Sequence, residues 1–215
     1  AVSIGIAIVV KYSPSLPSLE QLENIEPKLV TKLYDKDGAL IKEFYVEKRL
    51  WTPIDSIPEI VPKAVMASED RSFMNHWGVN IWAIPKTIVE KMVSKKRLRG
   101  ASTLSQQLSK NLFLTPERSL SRKIKEALTA VAIERTYTKQ EIMEFYLNQV
   151  YLGAGNYGFQ AACQHYFGIP LDSITTSQTA VLVALLPAPE LRRPDRYPDE
   201  ADRWRKVVLR AMLDA

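Results

Sequence analysis

The spacing of apolar and polar positions divides the chain into a short strand-forming stretch and a longer helical remainder. Within residues 29–46, LVTKLY and ALIKEFYV are strand-like and Asp35-Lys36-Asp37-Gly38 supplies a turn, which predicts a β-hairpin. Ahead of it, Pro14, Pro17 and Pro27 make residues 13–27 an extended spacer, and residues 51–62 form a proline-broken connection. From about Pro62 the periodicity becomes helical, and the first of these helices carries Glu69. Thr138-Lys139-Gln140-Glu141 reads as a capping box opening a helix to about Val150, with Ile142, Phe145, Tyr146, Gln149 and Val150 as its core stripe. A helix over 157–167 stops at Gly168, and TSQTAVLVALL at 176–186 is a buried helix ended by Pro187 and Pro189. Residues 199–214 are amphipathic, with Trp204, Val207, Val208, Leu209 and Met212 apolar. Gly153, Gly155 and Gly158 serve backbone geometry in a tight loop; no strand precedes them as a phosphate cradle requires. The expected fold class is mainly α with one small β-hairpin.

The first ten residues, AVSIGIAIVV, are apolar and uncharged. They fall short of the roughly 20 needed to span a bilayer. They read either as the stub of a transmembrane helix, with Lys11-Tyr12 at the interface, or as an ordinary buried segment. With 215 residues, 46% of them hydrophobic, the chain can bury a sizeable core in one large domain or two small lobes. Cys163 is the sole cysteine, so no intramolecular disulfide framework exists. His76 reads as a hydrogen-bonded structural histidine, and with only His165 besides it no metal cluster emerges.

Charge changes the picture in one place. Residues 99–126 carry Arg99, Lys110, Arg118, Arg122, Lys123 and Lys125 against Glu117 and Glu126, a local charge of +4 out of a formal net +5. The stretch is also rich in Ser, Thr, Gln and Asn, a donor set that suits a phosphate-bearing ligand. Thr103-Leu104-Ser105-Gln106 reads as a capping box; the helix it opens stacks Gln106 with Lys110 and Gln107 with Asn111. That helix start offers free backbone N–H groups to an anion. A second helix is expected from Thr115-Pro116 through about residue 135, with Arg118, Arg122 and Glu126 on one face. An ordinary salt-bridged surface helix is the alternative for that spacing. A nucleic-acid ligand is disfavoured despite a sequence pI near 9.2, because the bases are interleaved with amides in a helical context and no nucleic-acid motif is present.

Two further stretches carry candidate chemistry. In AVMASEDRSFMNHWG, Ala64, Val65, Ala67, Phe73 and Trp77 put Glu69-Asp70 at the edge of buried surface, where a carboxylate can serve as a general base or as a structural helix-terminal acid. In residues 79–99, Ile81, Trp82, Ile84, Ile88, Val89 and Met92 are fringed by Lys86, Lys91, Lys95, Lys96, Arg97 and Arg99, a pattern suited to a membrane interface, or to a core-facing helix with solvated lysines.

EDRSFMNHWG at 69–78 resembles the first signature of the peptidoglycan glycosyltransferases, the transglycosylase module of class A penicillin-binding proteins and their monofunctional relatives. GASTLSQQLSKN at 100–111 is similar to the second, RKIKE at 122–126 matches the third, and KQEIMEFYLNQVYLGAGNYGFQAACQHYFG at 139–168 resembles the fourth and fifth. Leu104-Ser105 stands where Ile-Thr is common, and Trp77 fills a variable place.

The resemblance implies a lysozyme-like, two-lobed fold and inverting polymerisation of lipid II into β-1,4-linked glycan strands. Glu69 matches the general base and Glu126 the second essential glutamate. Lys110, Arg118, Arg122 and Lys123 match cations near the lipid diphosphate; Asp70, Ser102, Thr103, Gln106, Gln107 and Asn111 match the polar lining. No cofactor is implied, though a divalent cation, Mg or Mn, can ride on the substrate diphosphate. The implied partners are lipid II, the growing glycan strand, a membrane surface and other cell-wall synthesis proteins, but no nucleic acid. The implied organisation is an anchor stub at 1–12, linker and hairpin at 13–50, and a glycosyltransferase domain at 51–215. This places the protein on the outer face of a bacterial cell membrane, as a moenomycin target. The lead-in hairpin favours a bifunctional penicillin-binding protein. The alternatives are a monofunctional glycosyltransferase, a lysozyme-like glycan-cleaving enzyme, or a non-catalytic wall-binding module.

Overall fold

Local chemistry sets most element ends in the computed structural model, which describes residues 11–12, 16–18, 31–34, 36, 40–44, 48–80, 102–113 and 119–215. Strands β1 (Thr31–Tyr34) and β2 (Leu40–Phe44) pair antiparallel, Thr31 opposite Phe44, with an irregularity between Leu33 and Tyr34. The hairpin expected from the sequence is therefore present. Strand β3 (Lys48–Arg49) adds a pairing that the sequence did not announce.

Seven α-helices follow among the described residues: α1 (Ile60–Glu69), α2 (Leu104–Phe113), α3 (Leu120–Thr136), α4 (Lys139–Gln149), α5 (Phe159–Phe167), α6 (Thr176–Leu185) and α7 (Pro198–Leu213). The chain is mainly α, as expected. Between α4 and α5, β4 (Asn156–Tyr157) pairs in parallel with β3, so the helix expected over 157–167 starts two residues late. Gly158 (φ +83) supplies its N-cap and Gly168 (φ +69) its left-handed C-cap. Thr138 and Glu141 form the expected capping box: Thr138 N donates to Glu141 Oε2 at 2.8 Å and Glu141 N to Thr138 Oγ1 at 3.3 Å. Thr175 and Gln178 form another at the start of α6.

One start differs from the sequence reading. Ser119 is extended (φ −132, ψ 157), and its hydroxyl accepts from Arg122 N, so α3 begins at Leu120. Thr115-Pro116 is therefore not its cap. Arg118 itself lies outside the described residues, as do residues 1–10 and most of 79–99. No helix among the described residues is long and apolar enough to cross a membrane.

The described residues fall into two compact units. One spans Glu26–Ser68 and Met143–Ala215. In it α6 packs on α7 and α5, and Leu182, Val183, Leu185, Phe159, Ala161 and Tyr146 are fully buried. Each large apolar side chain withdrawn from water contributes about 1.5–3 kcal/mol. Polar pins tie the 51–56 connection to α4. Asn148 pairs with both backbone groups of Thr52 at 2.8 Å, and Ile54 N donates to Glu144 Oε2 at 2.7 Å. The other unit spans Ala1–Ile25 and Glu69–Ile142, and in it α2 packs along α3.

Candidate active site

The described site residues named from the sequence all fall within the Glu69–Ile142 unit. Their placement begins with the start of α2. Thr103 N donates to Gln106 Oε1 at 3.0 Å and Gln106 N to Thr103 Oγ1 at 3.1 Å, the reciprocal capping box the sequence predicts. Leu104 N donates to Asp70 Oδ2 at 3.0 Å. The expectation that this helix start is open to a foreign anion is thereby corrected. The anion at the positive end of α2 is the chain's own Asp70 carboxylate. Thr103, Gln106 and Asp70 are buried, with their polar atoms turned to the chain itself.

Asp70 is a knot. Its Oδ2 also takes His76 Nε2 at 2.8 Å, and Ser72 Oγ donates to Oδ1 at 3.2 Å. His76 Nδ1 accepts from Gly78 N at 3.1 Å, which assigns the ring proton to Nε2 and makes His76 the donor to Asp70. His76 is structural, as expected. Thr103 Oγ1 donates to Gly78 O at 2.6 Å, closing the loop back on α2. Gly78 (φ +98) is required here: a Cβ would stand 2.7 Å from the carbonyl of Ala130 on α3. Ala64, Val65, Ala67 and Phe73 are buried, as the apolar pattern suggests, whereas Trp77 is 75% exposed.

The knot fixes the residue beside it. Glu69 ends α1, where a carboxylate faces the negative end of the helix dipole and gives the helix no help. Its Oε2 accepts from Gln107 Nε2 at 3.1 Å. Of the two neighbouring acids, then, Asp70 takes the structural part and Glu69 is held by an α2 side chain.

The second glutamate sits on α3. Glu126 is only 3% exposed. Arg122 Nη1 donates to its Oε2 at 2.7 Å, and Lys123 Nζ contacts Oε1. Lys123 Nζ also donates to Ser102 Oγ at 2.8 Å, just before α2. Two cations against one acid leave this cluster net positive. Among the described residues Arg122 Nε, itself buried, finds no partner, a guanidinium donor still unsatisfied. Lys110 and Asn111 are exposed on α2. Residues at or just before the start of α2 thus bind both glutamates, Gln107 to Glu69 and Ser102 through Lys123 to Glu126. A carboxylate able to take a proton, at the end of α1, and a cation cluster able to stabilise developing negative charge, on α3, are both tied to the start of α2.

Sequence reasoning named the site residues but missed what supports them. Glu134 on α3 and Lys139 at the first turn of α4 are buried or half-buried, with Lys139 Nζ 2.7 Å from both Glu134 oxygens. Ser105 Oγ donates to Glu134 Oε1 at 2.5 Å. In the sequence Lys139 stands out only within its capping box and the fourth signature, and Glu134 is not singled out.

A penicillin-binding protein 1A structure from Haemophilus influenzae matches 88% of this chain and 19% of its own, at 24% identity and a TM-score of 0.47. Penicillin-binding protein 1A of Aquifex aeolicus is 42% identical over 215 residues, 100% of this chain and 30% of that one. That of Neisseria flavescens is 40% identical over 211 residues, 98% and 26% respectively. The chain therefore spans between a quarter and a third of the length of these curated relatives. A family model described as transglycosylase matches residues 37–213, a span that takes in Glu69, Glu126 and the helices that hold them. The chain belongs to the transglycosylase family.

Proposed function

We propose that the chain is the glycosyltransferase part of a bifunctional penicillin-binding protein, polymerising lipid II into β-1,4-linked glycan strands. The 4-hydroxyl of the acceptor sugar gives its proton to Glu69 as its oxygen attacks the donor's anomeric carbon. The bond from that carbon to the lipid diphosphate breaks on the opposite face, with inversion. Arg122 and Lys123, held by Glu126 and Ser102, offset the charge that grows on the departing diphosphate, with Lys110 and Arg118 as further cations. Glu126 acts through the cations it orients.

One observation carries this reading. A buried carboxylate is met by more positive charge than it neutralises, and a guanidinium N–H is left without a partner among the described residues. A glycan-cleaving enzyme acting on a finished neutral strand has no diphosphate to meet that charge. Glu126 has both oxygens engaged by Arg122 and Lys123, so it is not offered to a divalent cation. An Mg or Mn ion, where used, belongs to the substrate's diphosphate.

The implied setting is the outer face of a bacterial membrane, with a single N-terminal anchor and cell-wall synthesis partners. The exposed Trp77 and Met74, 75% and 58% accessible, support an interface next to the basic-apolar stretch at 79–99. Flotation with anionic vesicles tests that setting: a Trp82→Glu, Ile81→Ser variant should bind less, and unchanged binding removes this interface. Product analysis tests the reaction: chain growth from lipid II with release of the lipid diphosphate is expected. Cleavage of finished strands without growth would favour the hydrolase, and neither activity the wall-binding module.

A further inference from the structure

We propose that Lys139 and Glu134 are positioning residues for Glu69: they clamp the 69–78 segment so that the carboxylate is presented to Gln107. The inference rests on the glycosyltransferase reading above.

Lys139 Nζ has three engagements. It is 2.7 Å from each oxygen of Glu134, donates to the backbone carbonyl of His76 at 2.6 Å, and lies 4.6 Å from the centre of the Phe73 ring. Glu134 in turn takes the Ser105 hydroxyl of α2. The segment that begins at Glu69 is therefore gripped at Asp70 by α2 and at Phe73 and His76 by Lys139. Glu69 precedes the first grip directly.

Stability alone does not account for this arrangement. The Glu134 side chain is 5% exposed and that of Lys139 20%. A buried ion pair repays little of its desolvation and is often replaceable by apolar groups without loss. What apolar replacements cannot reproduce is the third donor, aimed at a main-chain carbonyl inside the loop. That donor specifies a backbone conformation, and the residue whose placement depends on it is Glu69.

The test is the double variant Lys139→Met, Glu134→Gln, beside Lys139→Arg, in the chain as it stands. Met keeps the stem against Phe73, and Gln keeps an acceptor for Ser105. In lipid II polymerisation the double variant should lose at least tenfold in kcat with KM within about twofold, and Lys139→Arg should recover most of that loss. Hydrogen exchange should speed up at least tenfold in peptides covering 69–78 and stay unchanged in α6 and α7. A kcat within twofold of wild type, or unchanged exchange in 69–78, overturns the clamp. If the wild type neither polymerises lipid II nor binds moenomycin, the glycosyltransferase reading fails, and the exchange result alone keeps or overturns the clamp.

Discussion

Replacing Asp70 should produce a graded loss of stability that follows its hydrogen bonds. Oδ2 accepts from Leu104 N at 3.0 Å and from His76 Nε2 at 2.8 Å, and Oδ1 from the Ser72 hydroxyl. Asp70→Ala leaves a buried helix-start N–H and a buried imidazole N–H without partners. One orphaned buried donor costs about 1–3 kcal/mol and a lost charge-assisted bond about 1.5–3 kcal/mol, so the loss should be about 3–5 kcal/mol. For a chain of this size each kcal/mol lowers Tm by roughly 2–4 °C, which puts the fall at about 6–20 °C. Asp70→Asn is different. Its amide oxygen can occupy the Oδ2 place and keep both acceptor contacts, and its nitrogen can donate to Ser72 Oγ. Only charge assistance goes, about 1–2 kcal/mol. Thermal and urea unfolding of the two variants measures the ladder directly. Equal losses from both, or losses within about 0.5 kcal/mol of wild type, would refute the knot as described.

Other consequences are equally measurable. Gly78→Ala sets a Cβ against the Ala130 carbonyl at positive φ, so it should cost about 2–4 kcal/mol in urea unfolding; a cost below about 0.5 kcal/mol contradicts the close approach. Burial pushes the Cys163 thiol up to about 11, with Asp172 adding to the shift, so iodoacetamide at about pH 8 should leave the native protein unmodified and label it in strong denaturant. Rapid native labelling would contradict that burial. Lys110→Glu reverses an exposed charge that no other described residue engages. Tm should hold, with stability within about 0.5 kcal/mol, while turnover falls more than tenfold; a matching loss of Tm would make Lys110 structural.

What the sequence made legible was local. The capping boxes at Thr103 and Thr138 are chemistry between residues three apart, and both are present. The hairpin followed from alternation and a turn. One local signal misled: Thr115-Pro116 has the form of a helix start, yet Ser119 caps α3. Long-range contacts were not legible. Nothing near Asp70 announces that it would fill the start of α2, and nothing near Lys48 announces β4 as its partner. Glu134 and Lys139 meet only once α3 and the start of α4 pack, which no local pattern announces. The glutamates and cations of the site were named because their motifs are contiguous; the shell that orients them is assembled from distant segments.

Lipid II polymerisation by this chain in detergent, with and without Glu69→Gln and read as glycan ladders on a gel, bears most directly on the central claim. Wild-type ladders and none from a folded Glu69→Gln variant are expected. Ladders from the variant within about tenfold of wild type would mean that another base operates. No ladders from a wild type that still binds moenomycin would mean that the reaction needs more of the protein, and no ladders without binding would contradict the glycosyltransferase reading itself.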